Sequence, residues 1–191
     1  MNPSTKSFPI KIVFSVGLIF IAAGILFYKL SISAPQEAEK AYQKGNQLVK
    51  QGRGPEAVDF YQQAIRKNPK HVDAHNNLAN ILVSERKVAE AVKHYRQAIQ
   101  LNPMYIEAYN NLGIALASLS EFDDAIGLYE EALKKFPNAA DLHNSYGTIL
   151  AQRGKMDDAE AHFKEAVRLR PNFERAKNNL VLLQEQKKKS A

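Results

Sequence analysis

Asparagine side chains recur in this chain where a periodic structure would align them. Asn76, Asn110, Asn144 and Asn178 follow one another at steps of thirty-four residues, with Tyr42 one step ahead of Asn76. Asn77, Asn111 and Asn179 form a second row, and Asn46 and Asn80 a third. A carboxamide carries donors and an acceptor at once. A row of them suits the pairing of a partner's backbone amides, whatever the partner's sequence, better than it suits the breaking of bonds. The candidate binding residues are Tyr42, Asn46, Asn76, Asn77, Asn80, Asn110, Asn111, Asn144 and Asn178. The competing reading of these asparagines is solubility or local hydrogen bonding.

Residue types that do covalent chemistry are not arranged for it. There is no glycine-rich phosphate loop and no nucleophile elbow, and the absence of cysteine removes thiolate and zinc-thiolate sites. His71 and His75 are four apart, but His71 falls in a turn after Pro69 while His75 opens the next helix. A metal pair needs both on one helical face. His75 and His143 share a repeat position with Tyr109, which points to packing, and His94 and His162 are expected near the surface. Glu39, Asp73, Glu107 and Asp141 recur in the first turn of a helix, where negative charge offsets the macrodipole. The expectation is a non-enzymatic protein with no catalytic, cofactor or metal site.

The elements that position the asparagines are set by the same period. Pro69, Pro103, Pro137 and Pro171 lie thirty-four residues apart. Ala57, Ala91, Ala125 and Ala159 keep the step, as do Ala64, Ala98, Ala132 and Ala166, and the aromatics Tyr61, Tyr95, Tyr129 and Phe163. A period of this length indicates a solenoid of stacked supersecondary units. With proline at position 32, the units run 38–71, 72–105, 106–139 and 140–173. Each reads as two helices. At 100° per residue the first presents positions 4, 7, 8 and 11 to its partner, which in the third unit are Tyr109, Leu112, Gly113 and Leu116. The second presents positions 20, 24 and 27. Small residues at positions 8 and 20 predict close approach of the paired helices, with Gly113 against Ala125. The asparagines fall on positions 5, 6 and 9, on the side opposite this packed face.

This combination, with alanine at positions 20 and 27, an aromatic at 24 and proline at 32 in all four units, resembles the tetratricopeptide repeat family over about 38–186. The resemblance implies an all-α, right-handed superhelical solenoid of four helix pairs, with a concave groove lined by the first helices. The position-6 asparagines are similar to those of the repeat superhelix of O-linked N-acetylglucosamine transferase, which hold extended polypeptide. Asn46 and Asn77 also match two positions of the carboxylate clamp of heat-shock co-chaperones. The clamp's basic residues do not carry over: Tyr42, Asn110 and Ile114 stand in their places. Recognition of an acidic chaperone tail is therefore not expected.

The ends depart from the pattern. The first unit has Lys44 at position 7 and Gly54 at position 17, and Pro55 suits the first turn of a helix. Residues 174–186 read as a capping helix that solvates the open end, and 187–191 as a frayed basic tail. Ahead of the repeats, residues 12–28 are uncharged and nearly all apolar, between Lys11 and Lys29. As a helix they would span roughly 26 Å, slightly short of a bilayer core of about 30 Å, a gap that snorkelling lysines close. A cleaved signal peptide is the competing reading, but the stretch is longer than the usual signal core and Pro35 adjoins the best cleavage point. The expected organisation is a basic head (1–11), a transmembrane anchor (12–28), a linker (29–37), the repeats and the cap.

Net charge is +6, with Lys6, Lys11 and Lys29 in the anchor region, so the remainder is too weakly basic for a nucleic-acid domain. The expected function is a single-pass, membrane-anchored scaffold or adaptor whose groove binds a polypeptide segment, its repeats facing an extracytoplasmic compartment. Homo-oligomers are compatible with the sequence. The alternative is a structural subunit that packs on itself or on a membrane-associated enzyme complex through convex or edge surfaces.

Overall fold

The structure, a computed structural model, describes residues 34–190. The proposed anchor at 12–28 lies outside them, as do the head and residues 29–33 of the expected linker. Among the described residues there are nine helices and no strand: α1 (34–50), α2 (Gly54–Lys67), α3 (Val72–Ser84), α4 (Val88–Leu101), α5 (Ile106–Ser118), α6 (Phe122–Lys135), α7 (Ala140–Gln152), α8 (Met156–Leu169) and α9 (Glu174–Ser190). None of these is long and apolar enough to cross a membrane.

Two boundaries differ from the sequence expectation. Residues 34–37 are already helical, so α1 takes in the end of the expected linker. At the other end α9 continues to Ser190, where a frayed tail was expected. The reason is a clamp: Lys187 Nζ lies 2.6 Å from both Asp157 Oδ1 and Glu160 Oε2 of α8. Glu160 also accepts from Lys164 and Gln184, and these donors hold its carboxyl down at about 2.

Each helix pair closes through a left-handed residue at one repeat position. Gly52 and Gly154 have φ of 74°, which glycine adopts without a Cβ penalty, while Arg86 and Ser120 adopt φ of 63° and 64° at the equivalent sites. The second helices end two residues before each recurrent proline, at Lys67, Leu101, Lys135 and Leu169. Inside the pairs, Ala57, Ala64, Ala91, Ala98, Ala125, Ala132, Ala159 and Ala166 are wholly buried around Tyr61, Tyr95, Tyr129 and Phe163. One hydrophobic core runs from Leu48 to Leu183.

The glycines on the first helices face these aromatics. A Cβ on Gly113 would stand 2.5 Å from Cε2 and the hydroxyl oxygen of Tyr129, and one on Gly147 2.8 Å from Cε1 of Phe163. The close approach expected between Gly113 and Ala125 is thus an approach of backbone to an aromatic ring. First helices also touch one another across units, α3 to α5, α5 to α7 and α7 to α9. The second helices α4, α6 and α8 make no comparable contacts among themselves. The stack therefore curves with its first helices on the inner side, where the asparagines lie.

Candidate functional site: an amide ladder on the inner face

The asparagines do not stand apart from the packing. They bond to each other across the seams between units. Asn77 Nδ2 donates to Asn46 Oδ1 (3.1 Å) and to the Tyr42 hydroxyl (3.3 Å) of the preceding unit. One step on, Asn111 Nδ2 donates to Asn80 Oδ1 (3.1 Å) and Asn76 Oδ1 (3.3 Å). Position 6 of the second and third units thus donates to positions 5 and 9 of the unit before. The position-24 tyrosines tie in from behind: the Tyr61 hydroxyl donates to Asn46 Oδ1 at 2.7 Å and that of Tyr95 to Asn80 Oδ1 at 2.6 Å. Burial raises the pKa of both phenols, Tyr95 strongly, so they remain donors. Asn76 Nδ2 donates to Asn77 Oδ1 and to Glu107 Oε1, which links three units.

This placement corrects the expectation that the asparagines lie opposite the packed side. Asn76 and Asn144 are buried, at 0 % and 3 % exposure, because successive first helices pack through position 5. Tyr42, Asn46, Asn77, Asn110 and Asn111 are half-buried, and only Asn80 and Asn178 are exposed. Local hydrogen bonding, the competing reading, describes much of the row. Some amide donors of the row are left over, and two of them share a hollow. The Nδ2 groups of Asn46 and Asn80 have no acceptor among the described residues, and both side chains line a hollow of about 250 Å³ between α1 and α3.

The ladder breaks at the seam between α5 and α7. Position 9 is Ile114 and position 6 is Ser145, so neither the acceptor nor the amide donor is present. Asn110 Oδ1 is consequently buried without a partner. The Tyr129 hydroxyl, lacking an asparagine at position 9, donates to the Asn110 carbonyl instead (3.1 Å). The ladder resumes between α7 and α9, where Asn179 Nδ2 donates to Asn144 Oδ1 at 2.9 Å. Asn179, outside the expected binding set, does there what the exposed Asn178 does not. The missing signal was available: positions 6 and 9 carry asparagine in some units and Ser145, Ile114 or Thr148 in others.

Four histidines form two pairs that sequence reading missed. His75 Nδ1 is 3.0 Å from His94 Nδ1, and His143 Nδ1 is 2.9 Å from His162 Nδ1. The Nε2 atoms of His75 and His143 contact the carbonyls of Pro69 and Pro137. A carbonyl only accepts, so each Nε2 carries the proton and each Nδ1 accepts from its partner ring. His94 and His162 are half-buried within these pairs, where a surface position was expected. His71 caps α3 by accepting from the Ala74 N–H. Among the described residues no group of three metal-ligating side chains occurs.

Models of the tetratricopeptide repeat match residues 110–172, and models of the TPR repeat match 45–85 and 79–120. The chain is a tetratricopeptide-repeat protein. It is 47% identical over 45 residues to Hsp70-Hsp90 organizing protein 1 of Glycine max, which is 24% of this chain and 8% of that protein. The chain thus spans under a tenth of the length of the curated relatives it matches. Among solved structures, Pseudomonas aeruginosa pilF is 21% identical with a TM-score of 0.72, over 82% of this chain and 72% of that one. YrrB, described as a TPR protein with an unusual peptide-binding site, is 20% identical with a TM-score of 0.62, over 78% and 76%. At these identities the likeness is one of fold.

Proposed function

We propose that this tetratricopeptide-repeat protein is a membrane-anchored adaptor that holds a polypeptide segment along the inner face of its solenoid. The observation that carries the reading is that Asn46 Nδ2 and Asn80 Nδ2 are unused donors beside the hollows at the first two seams. An extended segment offers backbone carbonyls to such donors. The binding set narrows accordingly to Asn46, Asn80 and the hydroxyl-and-amide rim around them, while Asn76 and Asn144 act as struts. Residues 12–28 would fix the solenoid at a membrane, with Lys6 and Lys11 on the cytoplasmic side and the repeats outside. YrrB, with its peptide-binding site, lends the fold a precedent by analogy.

A photo-crosslinking amino acid at Asn80, compared with one at Lys93 on the exposed face of α4, tests this in native membranes. Adducts with a partner from position 80 alone are expected. Adducts from position 93 alone would overturn the groove reading. Protease added outside sealed, outer-membrane-permeabilised cells should digest the repeats; protection would reverse the topology.

A second reading, a subunit that packs through its edge on itself or on a larger complex, has one observation behind it. Val181 and Leu182 of α9 are 52 % and 63 % exposed, so the capping helix presents apolar surface where a solvating face was expected.

A further inference from the structure

The break in the amide ladder coincides with a hollow larger than those at the two preceding seams. At the seam between α5 and α7 the hollow measures about 460 Å³, against about 250 and 230 Å³ at the two preceding seams. The cause is local. Ser145 replaces an amide that would bridge to Asn110, and Ile114 replaces the amide that would receive it. Thr148, at position 9 of the next unit, turns its hydroxyl back to the Asn144 carbonyl at 3.0 Å. A second hollow of about 430 Å³ continues the first over Leu182 and Leu183, sharing Thr148, Gln152 and Asn179.

The larger hollow brings an arginine of α9 together with apolar side chains of α5 and α7. Ile114, Ala117 and Ile149 supply its apolar part beside Ser118, Thr148 and Gln152, and Ile114 is 47 % exposed. Arg175 is the one charged residue lining it. Position 2, which Arg175 occupies, is acidic in every earlier unit: Glu39, Asp73, Glu107 and Asp141. One neighbouring carboxylate, Asp141, serves both Arg170 and Arg175, which leaves a net positive charge. Asp141 is held by Arg170 at 2.6 and 3.2 Å, while Arg175 reaches it only at 4.0 Å and keeps 61% side-chain exposure. Phe173 lies against both guanidinium groups, with its ring centre 5.4 Å from Arg175, which restrains the side chain at the rim.

We infer that this seam is the specificity pocket of the groove: it takes one large apolar side chain from an internal segment of a partner polypeptide, and Arg175 pairs with an Asp or Glu side chain close to it in that segment. This rests on the groove reading proposed above. The amide ladder bridges the seams of the first three units, and the pocket in which side-chain identity is read lies beside its interruption. An exposed isoleucine of α5 and a guanidinium of α9 that shares its carboxylate with Arg170, lining the same hollow, match an acidic-apolar pair and repel a basic one.

The test uses the full-length chain in detergent micelles and labelled short peptides in a glycine-serine background. Each peptide carries one apolar residue next to one charged residue, acidic or basic, placed internally or at a free C-terminus. Binding is read by fluorescence anisotropy. Internal leucine-glutamate peptides are expected to bind about tenfold more tightly than leucine-lysine peptides. Ile114→Asp should weaken them by about tenfold, and Arg175→Glu should reverse the charge preference. Arg175→Gln, which sets no new acid beside Asp141, should abolish the preference with the circular dichroism melt unchanged. Equal binding of acidic and basic peptides, insensitivity to Arg175→Gln, binding of C-terminal carboxylates alone, or no binding would each overturn the inference. If Asn46→Ala and Asn80→Ala reduce binding while Ile114 and Arg175 variants do not, the specificity pocket fails and the groove reading stands. If neither set matters, both fail.

Discussion

Asn111 Nδ2 lies 3.1 Å from Asn80 Oδ1, and this contact joins two units through residues thirty-one apart in the chain. The same amide nitrogen also serves Asn76 Oδ1, which is fully buried. One side chain therefore satisfies a buried acceptor and bridges a seam. In a solenoid the seams decide whether units unfold together or separately.

Asn111→Ala is accordingly expected to destabilise the repeats. It orphans the Asn76 acceptor, a loss of about 1–3 kcal/mol. Asn178→Ala, at an exposed site, should fall within about 0.5 kcal/mol of the parent. Urea unfolding followed by circular dichroism separates the two, and equal effects would mean that the ladder is not a structural strut.

Ser145→Asn is expected to raise stability. An amide at position 6 would reach Asn110 Oδ1, the buried acceptor that now has no partner, a gain of about 0.5–1.5 kcal/mol. The check is the unfolding midpoint of Ser145→Asn alone and with Asn110→Ala. The gain should vanish in the double variant, because the two changes act through one hydrogen bond.

Gly113→Ala should cost about 1–3 kcal/mol by overpacking against the Tyr129 ring. Tyr129 is fully buried and has nowhere to swing. Pairing the change with Tyr129→Leu should recover part of the loss in thermal melts. An unaltered Tm for Gly113→Ala would contradict the close contact.

Acidification should destabilise the histidine pairs. Burial lowers the pKa of His75, His94 and His162 in the folded protein, reinforced by His71 for His75, by His75 for His94 and by His143 for His162. Glu90 opposes the shift at His94, and Asp158 and Glu165 oppose it at His162. The unfolded chain, with an ordinary histidine value of about 6.5, then binds more protons than the folded one below that pH. Stability is fully present above about pH 6.5 and falls as pH drops towards the lowered folded values. The Tm measured from about pH 7 to about pH 5 should decline, and His94→Gln with His162→Gln should flatten the slope.

The helices, their pairing and their order were legible in the sequence because each depends on a short-range rule repeated at a fixed step. Proline at position 32 ends a helix wherever it occurs. Alanine at positions 20 and 27 admits a neighbour, and an aromatic at 24 fills the space a small residue at position 8 leaves. Gly113 and Ala125 marked a close approach of the paired helices, but not that the Tyr129 ring is what stands against Gly113. The asparagine rows were equally visible, but not their use. A carboxamide suits a partner's backbone and a neighbour's side chain alike, and only the distance between successive first helices decides between them. That distance is set by how α3, α5 and α7 stack, a tertiary quantity that no window of sequence contains. It turned Asn76 and Asn144 inward as struts and left Asn46 and Asn80 with a spare donor. It also turned His75 and His94, nineteen residues apart on different helices, into a pair. The single-residue departures, Ile114, Ser145 and Arg175, looked like noise in the repeat. Only the folded stack gathers them around one hollow, beside the seam where the amides are missing.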